Sequence, residues 1–316
     1  MKLRINVLTL MLGLLGGLFS CSQEELADIP DGEQACDVSL VLSIGDIQTK
    51  AATNYTYATE DELTIKNCHV AVFEVDGSDK PTNRIHFQDF SDAAMGSLTN
   101  NIVGNLSGYN LTLNNVRTFG KDAKKVQVLI VANADNSKFD NWTTYDQYVN
   151  GTLTTSSFES SSLVKVGTSV AALTYGQANA AISISLNQLS AKIEYEGVFD
   201  DDGIKDNSFS LAKISGINTL SQVAIFSVEK VENTFYSSAD INGNGTFYTY
   251  ETNASKKIIL SVKQGNETKN FPFDANKFIK GNLYRIKGKY TPSISVNIKW
   301  EVVNMGTQEV TIPSFK

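Results

Sequence analysis

Apolar and polar residues alternate in short runs from residue 36 to the end of the chain, and no stretch there sustains the 3.6-residue period of an amphipathic helix. Clear runs are CHVAVFEV (68–75), KVQVLIVANA (125–134), SAKIEYEG (190–197), QVAIFSV (222–228), KIILSV (257–262) and SISVNIKWEV (293–302). Side chains of a strand project to opposite faces at period two, so such runs bounded by polar turns predict an all-β sandwich. Asp76-Gly77 directly after one run is a hairpin signal, because glycine takes the positive φ these turns need. Only short helices are expected, one of them near TYDQYV (144–149). A polar stretch, TLTTSSFESSS (152–162), interrupts the pattern, and dense strands resume at AISISLNQLSAKIEYEG (181–197). With 316 residues and about 150 per core, the reading is two β-sandwich domains, 37–180 and 181–316.

The folded part opens on DVSLVLSI (37–44), where Val38, Leu40, Leu42 and Ile44 share one face, Ser39 and Ser43 take the other, and Val41 is the exception. Burying four such side chains is worth about 6 to 12 kcal/mol gross at roughly 1.5 to 3 each. A polar linker follows, with Lys50 its one basic residue before Leu63. At the other end Ile294, Val296, Ile298, Trp300 and Val302 alternate without exception with Ser295, Asn297, Lys299 and Glu301, and a shorter run, EVTIPSF (309–315), follows Gly306.

Lys2 and Arg4 precede an apolar run from Ile5 to Phe19 that is too short and too Gly-rich for a spanning helix, which marks residues 1–20 as an export signal. Its end, LFSC, resembles the lipobox of bacterial lipoproteins, in which the cysteine, here Cys21, becomes the acylated N-terminus. Acyl chains hold a protein on a membrane through roughly 0.8 kcal/mol per buried methylene. A cleaved signal with a free Cys21 is the alternative. The following SQEE resembles the acidic tag that sends Bacteroidetes lipoproteins to the outer face of the outer membrane, so 21–36 reads as an acidic tether.

The formal charge is −7, and loss of residues 1–20 removes Lys2 and Arg4 to leave −9. No basic stripe could track a phosphate backbone, which excludes nucleic acid as a partner. Residues 21–50 carry seven carboxylates against Lys50, a net −6, so the part from Ala51 onward carries only −3.

Catalytic material is scarce. His69 and His86 are the only histidines, which leaves little for a triad or a multi-His zinc site, and no Gly-rich phosphate loop is present. His69 reads as a partnered surface residue, and FDDDGIKD (199–206) as a solvated turn. DINGNGTFYTYE sets Asp240, Asn242, Asn244 and Glu251 at the spacing of a calcium loop, but TFYTYE alternates like a strand, and a hairpin turn running into a strand is the preferred reading. A Cys36–Cys68 disulfide is one option in an oxidising compartment; a buried Cys68 thiol, in phase with Val70 and Val72, is the preferred one. Trp142, Tyr145 and Tyr148 form either a platform for sugars or, as preferred, a packed core cluster. No cofactor, no metal and no enzymatic activity are expected.

Taken in order, Cys21, QTKA (48–51), NCHVAVFEVDG (67–77), VLIVANA (128–134), LNQLSAKIEYEG (186–197), FYTYET (247–252), GNLYRIKGKY (281–290) and ISVNIKWEV (294–302) resemble the fimbrillins of Bacteroidetes-type bacteria, lipoprotein precursors of fimbrial subunits. The resemblance implies two transthyretin-like β-sandwich domains in tandem. It also implies an assembly route, in which a trypsin-like protease cuts the loop after the first strand, that strand leaves, and a strand from a neighbouring subunit fills the groove. The family has Arg at the cut; Lys50 before Ala51 points here to a protease that accepts lysine. The exchanged strand would be Val38 to Ile44 and the candidate donor 294–315, giving a head-to-tail filament of subunits with little mutual charge repulsion. If 294–315 instead completes the chain's own second domain, the protein is a tip or anchor subunit. The implied partners are other fimbrial subunits, the outer membrane through lipid before maturation, and an adhesion ligand that the sequence does not name. The rivals are a monomeric surface lipoprotein binding glycans and, disfavoured by the missing histidines, a secreted hydrolase.

Overall fold

The computed structural model describes residues 33–44, 58–103, 106–119, 122–154, 159–174, 179–215, 222–225, 239–240, 245–250, 257–274, 278–289, 299–304 and 308–311. Its first strands are β1 (Glu33–Ile44), β2 (Cys68–Val75), β3 (Pro81–Phe90), β4 (Thr99–Val103), β5 (Leu106–Phe119), β6 (Lys124–Ala132), β7 (Thr152–Thr154), β8 (Lys165–Leu173) and β9 (Ile182–Gln188). There follow β10 (Ser190–Phe199), β11 (Phe209–Ser215), β12 (Gln222–Ala224), β13 (Ala239–Asp240), β14 (Thr246–Tyr250), β15 (Lys257–Gln264), β16 (Glu267–Asp274), β17 (Leu283–Lys289), β18 (Lys299–Asn304) and β19 (Gln308–Thr311). The described helices are short: α1 (Glu60–Leu63), α2 (Asp92–Met95), α3 (Tyr145–Asn150) and two 3-10 segments, Asn136–Asn141 and Ser160–Ser162. The fold is all-β.

The first half forms one eight-stranded sheet in the order β3-β2-β6-β8-β9-β1-β5-β4. It bends where β8 meets β9, because those strands share only the pairs Lys165↔Gln188 and Val166↔Asn187. Gly167 permits the close crossing, since a Cβ there would lie 2.5 Å from the Ser185 carbonyl oxygen. The bend brings Val38, Leu40, Leu42 and Ile44 of β1, Leu111 and Leu113 of β5 and Ile184 and Leu186 of β9 against Val70 and Val72 of β2 and Val128 and Ile130 of β6. Over Cys68–Phe73 and Val128–Ala132 strands β2 and β6 are buried on both faces, which is why VAVF (70–73) and VLIVA (128–132) are unbroken apolar runs. Their outer faces present Ala71, Phe73, Leu129 and Val131 to a second core with Phe139, Tyr148 and Leu153.

A chain of hydrogen bonds crosses that second core. Arg84 donates to the Tyr148 hydroxyl at 2.9 Å, Tyr148 lies 2.8 Å from His69 Nε2, and His69 Nδ1 lies 2.8 Å from the Asp89 carboxylate. His69 is therefore a buried residue and not the surface one expected from its strand. Burial pulls its pKa down, against the opposing pull of Asp89.

In the second half a five-stranded sheet, β14-β10-β17-β18-β19, and a four-stranded sheet, β13-β11-β15-β16, enclose Ile193, Tyr284 and Ile286 from one side and Leu211, Ile214, Leu260 and Val262 from the other. The chain changes sheets across Leu189, whose N–H donates to the Val164 carbonyl at 3.0 Å. Two further features join the halves. Strand β7 pairs with β12, and Ile225 and Tyr250 pack into the core over β2 and β6. At the junction Glu62 of α1 is buried with its carboxylate 3.0 Å from Lys192 Nζ of β10, and it also accepts the Tyr248 hydroxyl of β14. The same carboxylate closes a capping box, accepting the Thr59 N–H at 2.6 Å.

Removing one partner from a buried pair leaves the other charge uncompensated, so Glu62→Gln is expected to cost about 3 kcal/mol in urea unfolding, with part regained when Lys192→Met is added. Lys165, 1 % exposed, donates to the Leu163 carbonyl, and its pKa is pulled down to about 7 by burial, against the attraction of Glu62. Above pH 7 the unfolded chain holds a proton there that the folded one gives up, so stability rises with pH, by at most about 1.4 kcal/mol per unit. Burial pushes the Cys68 thiol up, and that group works in the opposite direction once unfolded thiols ionise. Unfolding measured between pH 7 and 8 should therefore show the lysine-driven gain, and Lys165→Met should flatten the profile.

Candidate functional site

The strand predicted to leave is an interior strand. Residues Glu33 to Ser43 of β1 run antiparallel to β5, and Leu40 to Ile44 also pair with Ile182 to Leu186 of β9, here in parallel. Val38, Leu40, Leu42 and Ile44 are each 3 % exposed or less, whereas Ser39 is exposed and Val41 half-buried. Ser43 departs from the simple alternation, being buried with its hydroxyl 3.2 Å from that of Ser185. Departure of β1 would open the sheet between β5 and β9, uncovering two rows of backbone donors and acceptors and the inner faces of β2 and β6.

Among the described residues the chain resumes after β1 at residue 58 and is fastened again at the Thr59–Glu62 capping box. Lys50 and Ala51 lie outside the described residues, as does Cys21. Neither Cys36 nor Cys68 is in a disulfide. Cys36 is half-buried with Asn179 Nδ2 at 3.9 Å, and Cys68 is enclosed between Phe90 and Ala132 on its neighbouring strands. No bond between these two thiols tethers β1.

At the other end Trp300 and Val302 lie in β18, opposite Gly288 and Ile286 of β17, and β19 pairs along the far side of β18. Both strands thus extend the chain's own five-stranded sheet. Ile294, Val296 and Ile298 lie outside the described residues.

Asp240 closes the short strand β13, and Thr246–Tyr250 is the strand its alternation suggested, with Phe247 to Tyr250 buried. Asn242, Asn244 and Glu251 lie outside the described residues. No group of three or more His, Cys, Asp or Glu side chains is placed to hold a metal among the described residues. Tyr148 is fully buried and meets Trp142 edge-on at 5.1 Å, so most of the aromatic cluster is packing, with Tyr145 half-exposed at its rim. No described helix is long and apolar enough to cross a membrane.

The chain is 48 % identical to a Parabacteroides distasonis protein assigned the name fimbrium tip subunit Fim1F, an alignment that covers 99 % of this chain and 100 % of that protein. The chain belongs to the Fim1F family. The model of the Fim1F C-terminal domain matches residues 189–305, beginning where the chain changes sheets. A crystal structure of a fimbrial assembly protein from P. distasonis superposes with a TM-score of 0.75 at 46 % identity, over 89 % of this chain and all of that one. A fimbrilin from Porphyromonas gingivalis shares the fold alone, with a TM-score of 0.50 at 14 % identity over 82 % of this chain and 90 % of that one. The relatives at 48 % and 46 % identity thus both carry fimbrial names, and a fimbrium lies at the cell surface.

The burial pattern of β1 has a direct check. Leu40→Asp would place an unpaired carboxylate in the core and is expected to cost more than about 4 kcal/mol or abolish folding, whereas Ser39→Asp should stay within about 0.5 kcal/mol of the parent in thermal unfolding.

Proposed function

We propose that this protein is the tip subunit of a surface fimbrium, exported as a lipoprotein through Cys21, cut after Lys50, and joined to the next subunit by a donated strand that replaces β1. The observation that carries the reading is the contrast between the two ends of the chain. Strand β1 is an interior strand whose side chains fill a core, and Lys50 is the one basic residue between it and α1. Once the linker is cut, return of the strand becomes bimolecular and a competitor of the same pattern can take its place. Strands β18 and β19, by contrast, complete the chain's own sheet. A subunit that accepts a strand and keeps its own ends a filament instead of propagating it. The name of the P. distasonis relative agrees with that position.

A tip also presents the surface that adheres. A cleft of about 610 Å³ beside the second core is lined by Tyr145 together with Asp76, Lys80, Thr82, Asn83 and Asp146, an aromatic edge among hydrogen-bonding groups of the kind that hold a sugar ring. This favours a glycan as the adhesion ligand. Binding on a glycan array that disappears with Tyr145→Ala would support the cleft; unchanged binding would exclude it.

The function itself is tested by mild trypsin treatment of the purified protein, N-terminal sequencing and electrophoresis without boiling. A tip subunit gives a new terminus at Ala51, no ladder of self-polymers, and a one-to-one complex with a strand-donating subunit. A ladder from this protein alone would make it a stalk subunit, and a linker that resists trypsin would remove the maturation step.

A further inference from the structure

The ladder between β1 and β5 is irregular at one place. Cys36 faces Val116 and Val38 faces Leu113, so the single residue Asp37 stands opposite two, Asn114 and Asn115. This is a β-bulge on β5, and Asn115 has φ 58°, the left-handed region that residues other than glycine seldom adopt. Side chains hold both bulge amides. The Asn115 N–H donates to the Asp37 carboxylate at 3.0 Å. The Asn114 N–H donates to Gln88 Oε1 at 2.8 Å, while Gln88 Nε2 donates to the Thr112 carbonyl at 3.3 Å. Gln88 belongs to β3, which stays in the subunit; Asp37 belongs to the strand that leaves.

We propose that this bulge reads the incoming strand: the donor that replaces β1 runs in β1's direction and carries Asp or Asn one position before the first of its four alternating apolar residues. The inference rests on the strand-exchange reading above and adds to it the chemistry and register of the donor. An apolar face alone leaves register ambiguous, because a slip of two residues returns every apolar side chain to the inner face. The bulge occurs once along the described β1–β5 ladder, so the Asn115 N–H can distinguish the two registers. A slipped or reversed donor leaves that N–H without its side-chain acceptor.

The chain's own tail meets this requirement only in part: Asn297 precedes Ile298, Trp300 and Val302, but Asn304 takes the fourth apolar place. Ser293 stands before Ile294, with a shorter hydroxyl where β1 has a carboxylate. Glu309 stands before Val310 and Ile312, but Pro313 and Ser314 then break the period. A subunit that ends a filament gains from such a mismatch, since its acceptor site discriminates against copies of itself.

The test uses the protein nicked at Lys50 and fluorescent peptides of residues 33–44. The native and D37N peptides should enter the site with affinities within about twofold of each other, D37A should bind roughly fivefold to tenfold more weakly, and L40D should not bind. A D37A peptide that binds as well as the native one overturns the bulge readout while leaving strand exchange standing. A native peptide that never enters overturns the exchange reading and this inference with it. In the uncut protein the Asn115 amide should exchange its hydrogen about tenfold faster in Asp37→Ala than in Asp37→Asn. Equal rates there would also overturn the proposal.

Discussion

Everything in the first half of the molecule turns on the seating of β1 between β5 and β9. It is the strand through which β5 and β4 join the rest of the sheet, and its inner face fills the space against β2 and β6. A strand that supplies a ladder on both edges and four core side chains cannot be missing from a stable fold. It is nonetheless the first described element of the chain, and no disulfide among the described cysteines ties it in place. High structural need without a disulfide lock among the described cysteines is the physical condition under which another strand of matching pattern could take the place of β1.

The opposite condition holds where the two halves meet. There the chain crosses at Leu189, β7 pairs with β12, and the buried Glu62 carboxylate gathers Lys192, Tyr248 and the Thr59 amide. Bonds of this kind are strong only when every partner is in place, so they favour one arrangement of the halves over near alternatives. Glu62 sits immediately beyond the linker that carries Lys50. Were β1 lost, the chain from Thr59 onward would still be fastened at that carboxylate.

Much of this was legible in the residues. The alternating face of β1 was plain, and CHVAVFEV and KVQVLIVA were plain as strands, although their burial on both faces emerged only with the structure. The capping box Thr59-x-x-Glu62 emerged only with the structure, and nothing in its spacing foretold the partners from β10 and β14. The phase shift at the crossing likewise emerged only with the structure. Ile182, Ile184 and Leu186 keep period two, and the next apolar residue is Leu189, three positions on, where the strand leaves one sheet for another. His69 gave no such sign, because a histidine in a strand reads the same whether its neighbours are water or Asp89 and Tyr148.

What the sequence by itself determined is the inward face of the plainly alternating strands such as β1, since apolar burial depends on period and period is written in the chain. It also supplied a strand followed by a polar linker with one basic residue, and an alternating run near the C-terminus. Only the tertiary structure decided which strands pair: that β1 is interior, that β18 and β19 lie on their own subunit's sheet, and that Asp37 meets a bulge on β5. Backbone pairing uses the same N–H and C=O groups in every residue, so the partner of a strand is set by the packing of the whole sheet and leaves no local mark.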